Sequence, residues 1–331
     1  MIASVDFKNF KALRATALQL APFNLIIGAN GSGKTSLIQA VERLHALARL
    51  PLATPGPARR AGGPRISFRF NSPFAAVEAR LECVSEASCD LLQIRPAHAP
   101  EWPALQAQLG RIRSYQLDYG AMTAPAAPGA SPDAPLSPSG ANLAAVLAAW
   151  RDRHPAEFAA LVAEVLRVLP EYSGLELVRG PAGIVTLGLR LGPGGDLVTA
   201  DNLSQGTLAL LAILALAHDP APPAVLCIEE IDRGVHPRRL REVRDAFYRL
   251  SHPSASGLKR PAVQVIATTH SPYLLDLFRD HPEEIVIAQK QGRAARFERL
   301  ADRADLAELL SEGSLGDMWY SGILGGVPDE S

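Results

Sequence analysis

An α/β fold is predicted by three features of the chain. A short apolar run, Asn24-Leu25-Ile26-Ile27, leads into the glycine-rich stretch Gly28–Gly33 and then into residues with helical apolar spacing. Towards the other end two further apolar runs, Ala224–Ile228 and Val263–Thr268, close on acids and on a histidine, with helical stretches between them. The region in the middle is irregular and rich in Pro, Ala and Gly. This order predicts one α/β core carried by residues 1–50 and 200–331, split by an inserted mixed α/β (β and helical) subdomain at 51–199.

Taken in order, residues 1–50 read as strand, strand, glycine loop, helix. From Ser36 onward Leu37, Ile38, Val41, Leu44 and Leu47 recur with the helical period. Residues 51–64, PLATPGPARRAGGP, form a linker. β-like runs follow around Ile66–Phe70, Val77–Cys83 and Leu91–Arg95. The Ala/Pro/Ser tract 121–140 is expected to be a mobile loop. Two helices are expected over 142–168, with Leu143, Val146, Leu147 and Trp150 on one face, and a hairpin or small meander over 172–199. The α/β order then returns as a helix over 206–217, the strand Ala224–Ile228, a helix over 238–250, the strand Val263–Thr268, a short helix and the strand Ile285–Ala288.

The composition narrows the function classes. Hydrophobic residues make up 47% of the 331, enough for a sizeable core, and a formal net charge of -1 gives no global basic surface for nucleic acid, though a local patch is compatible with it. No apolar run reaches the roughly 18–20 residues that span a bilayer, so direct membrane insertion is not expected. The opening MIASVDFKNFKAL carries charges where a signal peptide would be apolar. Cys83, Cys89 and Cys227 show neither zinc-type spacing nor a paired framework, which fits a reducing, cytoplasmic compartment.

Four motifs carry the chemistry. Gly28-Ala29-Asn30-Gly31-Ser32-Gly33-Lys34-Thr35 fits G-x-x-x-x-G-K-[ST] between a predicted strand and a predicted helix. Its glycines let backbone N–H groups curl around phosphates, and the helix N-terminus adds positive potential. The candidate ATP-binding residues are therefore Asn30, Gly31, Ser32, Gly33, Lys34, Thr35 and Ser36, with Lys34 reaching the β- and γ-phosphates and the Thr35 hydroxyl ligating Mg²⁺. Val225-Leu226-Cys227-Ile228-Glu229-Glu230 is an apolar strand ending in two acids, a Walker B pattern. Glu229 is expected to hold Mg²⁺ through water, standing where an aspartate is usual, and Glu230 to orient or deprotonate the attacking water.

Leu203-Ser204-Gln205-Gly206-Thr207 precedes an apolar helix. A serine and a glycine at a helix start form an N-cap and an anion site; placed before Walker B, Ser204, Gln205 and Gly206 read as an ABC signature that binds the γ-phosphate held by a second protomer. Ala267-Thr268-Thr269-His270-Ser271-Pro272 ends another buried strand. A histidine there is on its own commonly a packing residue, but as the fourth motif in order His270 reads as a switch that senses the γ-phosphate. Ile231-Asp232-Arg233-Gly234-Val235-His236-Pro237 would be the D-loop, with Pro237 suited to the first turn of the next helix. That helix carries Leu240, Val243, Phe247 and Leu250 on one face and Arg238, Arg241 and Arg244 on another; a solvated face is favoured over phosphate contact for these arginines.

As an ordered set, Asp6-Phe7-Lys8-Asn9-Phe10-Lys11, GANGSGKT, LSQGT, IEEIDRGVHP and TTHSP resemble the ABC-type AAA ATPases of the AAA_21/AAA_15 kind, in the RecF/SMC/OLD branch. The resemblance covers both ends of the chain and not residues 51–200. It implies an ABC-ATPase head with the P-loop nucleoside triphosphatase fold, ATP and Mg²⁺ as cofactors, and a homodimer with two composite ATP sites. It places the residues matching Lys8 and Asn9 near the nucleotide. It also implies a Q-loop glutamine that helps hold the metal, for which Gln116 in Ser114-Tyr115-Gln116-Leu117-Asp118-Tyr119 is the candidate, with Gln93 behind it. The chain lacks the long heptads of SMC proteins, and the segment after His270 is too short for the Toprim-type nuclease domain of OLD proteins. It is in this respect similar to the stand-alone ATPase subunits of two-gene bacterial defence systems such as PtuA of Septu, whose effector nuclease is a separate chain.

Three functions are compatible with these readings. The leading one is an ATP-hydrolysing dimeric switch controlling a partner nuclease or another DNA-linked effector in phage defence or repair. A nucleotide-binding subunit of a membrane transporter is disfavoured by LSQGT and by EEIDRGVHP. A RecF-like clamp would bind DNA, or RNA, directly. The tail, with Met318, Trp319, Tyr320, Ile323 and Leu324 among glycines, asks for burial against the chain's own core or against a partner chain.

Overall fold

The buried runs of the sequence become the middle strands of one sheet in a computed structural model that describes residues 1–52, 63–127 and 133–325. The chain begins with β1 (Ile2–Phe10), β2 (Leu13–Gln19), β3 (Phe23–Gly28), α1 (Lys34–Ala48), β4 (Arg65–Phe70), β5 (Glu78–Ser85), β6 (Ser88–Arg95), α2 (Trp102–Leu109) and β7 (Ile112–Tyr115). It continues through α3 (Tyr119–Thr123), α4 (Leu143–Arg153), α5 (Pro155–Val168), β8 (Tyr172–Arg179), β9 (Val185–Leu191), β10 (Leu197–Thr199) and α6 (Gln205–Ala217). The last third is β11 (Val225–Ile228), α7 (Leu240–Ser251), β12 (Gln264–Thr269), α8 (Pro272–Asp276), β13 (Ile285–Gln291), β14 (Ala294–Arg299), α9 (Leu306–Glu312) and α10 (Leu315–Tyr320).

Contacts divide the chain into two units: Met1–Ser114 with Pro223–Glu230 and Ser251–Ser331, and Tyr115–Pro222 with Ile231–Leu250. This differs from the expected boundaries at 50 and 200. Residues 65–95 join the first unit because β4, β5 and β6 extend the antiparallel sheet that β1 and β2 begin, in the order β2-β1-β4-β5-β6. Residues of α6 join the second, where α6 packs with α3 and α5, and residues 231–250 go with them.

The first unit holds a six-stranded sheet ordered β14-β13-β3-β12-β11-β7. β13, β3, β12 and β11 run parallel, with Ile27 opposite Ile287 and Thr269, and Cys227 opposite Ile266. Strands β3 (FNLIIG) and β12 (QVIATT) are buried at every residue, as parallel strands covered on both faces must be. Parallel direction brings the C-terminal ends of β3, β11 and β12 to one edge, where open α/β sheets bind ligands. Two amides tie this core together. Buried Asn24 donates to Ala21 O (2.8 Å) and Val265 O (3.2 Å), and buried Gln264 bonds both the amide (2.9 Å) and the carbonyl (2.8 Å) of Ile2. The inner face of the antiparallel sheet, including Val5, Phe7, Ile66, Phe68 and Leu81, packs with Leu37, Val41 and Leu44 of α1.

One expectation about the cysteines is corrected. Cys83 and Cys89 face each other across the β5–β6 hairpin and form a disulfide; pairing of facing positions in a tight hairpin is invisible to spacing rules made for frameworks. Cys227 is a buried free thiol in β11.

In the second unit α6 is buried from Thr207 to Ala217, since TLALLAILALA has no polar stripe to turn outward. Strands β10-β9-β8 form the small meander expected over 172–199. Glu164 on α5 accepts from His218 Nε2 (2.5 Å) and forms an ion pair with Arg249 Nη2 (2.6 Å). Burial would raise its carboxyl, but these partners hold it down to about 2. On α7, Leu240, Val243, Phe247 and Leu250 are buried, while Arg241 and the preceding Arg238 are exposed and Arg244 pairs with Asp245 at 2.7 Å. The tract 121–140 is held on both sides of 128–132, which lie outside the described residues: Ala126 and Val185 exchange backbone hydrogen bonds of 2.9 Å, Leu136 is buried, and Ser137 N donates to Asn142 Oδ1 at 2.7 Å. The linker residues 53–62 and the tail end 326–331 likewise lie outside the described residues.

The tail folds onto its own unit. Leu315, Met318 and Leu324 are buried, and α10 packs on α8. Gly316 N donates to Asp276 Oδ1 at 2.8 Å, and a Cβ at Gly316 would come within 2.7 Å of Pro272 O, so only glycine permits this approach. Tyr320 and Ile323 stay exposed.

Candidate functional site

The glycine loop leaves the end of β3 and turns straight into α1. Gly31 and Gly33 adopt φ of 75° and 96°, a region that favours glycine, and a Cβ on Gly28 would collide with the Ala288 carbonyl. The first turn of α1 has no side-chain cap, so its amides face the loop. Lys34 folds back and donates to Gly28 O (2.6 Å) and Ala29 O (3.0 Å). Burial lowers its ammonium to about 8, against the opposing pull of Glu230 and Glu229. The buried Ser32 hydroxyl has no hydrogen-bond partner. An orphaned donor, open helix amides and a lysine satisfied only by carbonyls fit an anionic phosphate group.

The acids arrive from β11. Glu229 Oε2 accepts from Thr35 Oγ1 at 2.8 Å, so the two groups predicted to hold a metal are already adjacent; a hydroxyl and a carboxylate are the hard oxygen ligands Mg²⁺ takes alongside phosphate oxygens. Glu230 has φ 51°, and its backbone N–H donates to Thr268 Oγ1 at 3.0 Å. His270 directly follows β12. Together residues 30–36, Glu229, Glu230, Thr268 and His270 line a polar cleft of about 180 Å³ within the first unit.

The signature belongs to the second unit. Ser204 caps α6, its Oγ accepting from Thr207 N at 3.1 Å, and Ser204 and Gln205 are exposed. Gly206 meets the D-loop directly: a Cβ there would lie 2.7 Å from the Gly234 carbonyl. Gly234, at φ 73°, packs on Tyr119, whose hydroxyl donates to Arg233 O. Gln116 is also in this unit, exposed, with its N–H donating to Pro138 O at 2.9 Å.

Some assignments fall elsewhere. Lys8 is exposed near the end of β1, opposite Ala15 and Arg65, and Asn9 takes a left-handed turn conformation; neither lines the phosphate cleft. Gln93 pairs with Arg80 on the antiparallel sheet. Sequence reasoning assigned no role to Thr268 or Tyr119. A hydroxyl directly after the apolar run Val265-Ile266-Ala267 was the available signal for Thr268; nothing local marks Tyr119.

Residues 90–276 match the family model described as "AAA domain, putative AbiEii toxin, Type IV TA system", more than half of the chain. The chain belongs to this family. Residues 1–69 match a second model, "AAA ATPase domain". No curated protein matches the sequence. Among solved structures, this AAA ATPase is similar to an Smc head bound to the C-winged helix domain of ScpA, at TM-score 0.59 and 16% identity over 90% of this chain and 96% of that one. It is also similar to the Smc head domain with an extended coiled coil bound to the C-terminal domain of ScpA from Pyrococcus furiosus, at TM-score 0.56 and 13% identity over 94% and 100%. Identities this low speak for the fold alone. Family and fold agree on an AAA ATPase whose P-loop ATPase core has the fold of an SMC head. Among the described residues no helix is long and apolar enough to cross a membrane.

Proposed function

We propose that this chain is an ATP-hydrolysing dimeric switch that controls a separate effector. The convergence of Lys34, Thr35, Glu229, Glu230 and His270 on one polar cleft carries the reading. The loop amides and Lys34 would bind the phosphates, while Thr35 and Glu229 would hold Mg²⁺, which when bound supplies charge neutralisation between the phosphate oxygens. Glu230 would orient the attacking water and accept its proton. His270 would report whether the last phosphate is present. Ser204, Gln205 and Gly206 would complete the site of a second copy, and Gln116 is retained as the Q-loop residue. Closure with ATP and opening after hydrolysis would pass to the effector, a nuclease or another DNA-linked protein. The toxin wording of the family description supports a role in bacterial defence.

The test is turnover against binding. Glu230→Gln is expected to bind ATP as the wild type does and to lose phosphate release by about 100-fold or more. Wild-type turnover in that variant would refute the base assignment.

A further inference from the structure

We propose that Thr268 is a positioning residue for hydrolysis: its hydroxyl holds the backbone amide of Glu230 and so sets the direction of that carboxylate. The proposal rests on Glu230 being the group that orients water.

Glu230 stands at φ 51°, a conformation that residues with a side chain adopt only when their surroundings hold them there. Asn9, Lys11 and Ala182 share it among the described residues, but Glu230 alone of the four lines the cleft. One contact at this residue is the 3.0 Å bond from Glu230 N to Thr268 Oγ1. Thr268 is only 2% exposed, following Ala267 along β12 and facing Ile26 of β3 across the sheet. A hydroxyl in that position costs desolvation unless it is bonded, so a valine would serve the core better if packing were its only task. Branching at Cβ restricts its rotamer and fixes the acceptor in space.

The next threonine does something else. Thr269 Oγ1 accepts from Ser271 N at 3.0 Å and shapes the turn that leads into α8. Alternation along β12 thus separates the two hydroxyls, one towards the end of β11 and one towards the His270 turn. Since β12 pairs with both β11 and β3, Thr268 refers Glu230 to the same strand that His270 directly follows. The base and the sensor therefore share one frame.

The experiment compares Thr268→Val, which keeps the shape and removes the acceptor, with Thr268→Ser, which keeps the acceptor. In Thr268→Val, kcat should fall on the order of ten- to a hundredfold, as for a misdirected catalytic group. Its ATP Kd should stay within about twofold, because an effect confined to the reacting state leaves ground-state binding alone. Thr268→Ser should restore kcat. Hydrogen exchange at the Glu230 amide should be fast in the valine variant and slow in the wild type and the serine variant. Wild-type kcat in Thr268→Val, a serine variant as slow as the valine one, or parallel loss of kcat and ATP affinity would each overturn the proposal. Glu230→Gln separates the two levels. If it is inactive while Thr268→Val is not, only the positioning role falls; if it hydrolyses normally, the base assignment falls and this role with it.

Discussion

Two helix N-termini in this chain look alike in sequence and are finished in opposite ways. Both α1 and α6 have serine and glycine at their N-terminal ends, before the helix at α1 and as cap and first-turn residue at α6. At α1 the cap is Gly33 with no side-chain bond, the neighbouring Ser32 hydroxyl is orphaned, and a lysine lies buried beneath. At α6 the cap is Ser204, already bonded to Thr207 N, in an exposed position. The first end leaves its donors without side-chain partners, as the proposed phosphate site requires; the second is capped by its own serine. The difference teaches that a glycine loop that excludes side chains leaves helix amides open to a ligand, whereas a serine cap satisfies them from within the chain.

The sharpest way to break this comparison is to disable each end separately. Lys34→Ala should weaken ATP binding on the order of a hundredfold or more, as truncation of a buried charge contact does. Ser204→Arg should keep binding and lose hydrolysis. Mixing the two variants should return part of the activity, since a hetero-dimer holds one intact composite site and one doubly damaged one. Absence of rescue in a verified hetero-dimer would mean that α6 does not complete a partner's site.

A smaller change at the second end is steric. Gly206→Ala places a Cβ against the Gly234 carbonyl and forces the D-loop away from α6. Turnover should fall on the order of a hundredfold, the loss typical of misplacing a donor aimed at developing charge, with ATP binding unchanged. Retained turnover would show that the two loops move independently without consequence.

The first end also titrates. Burial lowers Lys34 to about 8, whereas a bound phosphate requires the ammonium form. ATP affinity should be flat below pH 8 and fall by up to about tenfold per pH unit above it. The same depression makes folding stability rise with pH between about 8 and the ordinary lysine value, because there the unfolded chain holds the proton and the folded chain has released it. Nucleotide titrations on either side of pH 8 check the first effect; affinity independent of pH would remove Lys34 from the phosphate site. The smallest expected effect is Ser204→Ala, which should cost about 1 kcal/mol of stability through loss of the α6 cap, read from denaturant unfolding.

Legibility differed between regions for physical reasons. Strands β3, β11 and β12 were readable because parallel strands buried on both faces carry consecutive apolar residues, Leu25-Ile26-Ile27, Val225–Ile228 and Val265-Ile266-Ala267, and helix α6 because nothing in it can face water. The edge strand β7 and the short α9 and α10 carry no such run and were not seen. The Cys83–Cys89 pair was misread because its partners are brought together by a hairpin register rather than by a spacing rule. The contact units depart from boundaries at 50 and 200 because β4 pairs with β1 and carries the adjacent β5 and β6 into the same sheet, and no local pattern announces which sheet a strand will join.

At the cleft the same division holds. The sequence by itself determined the identities and order of the chemical groups: a glycine loop with Lys34 and Thr35, paired acids at 229 and 230, a serine and glycine before an apolar helix, and a histidine after a strand. Those are local requirements of backbone curvature and charge, so they appear as short contiguous motifs. Only the tertiary structure decided that Thr35 touches Glu229, that Lys34 is buried and its proton loosened, that Gly206 abuts Gly234, and that Thr268 holds the amide of Glu230. Each of these joins segments distant along the chain, and strand pairing and close packing, which no short motif encodes, bring them together.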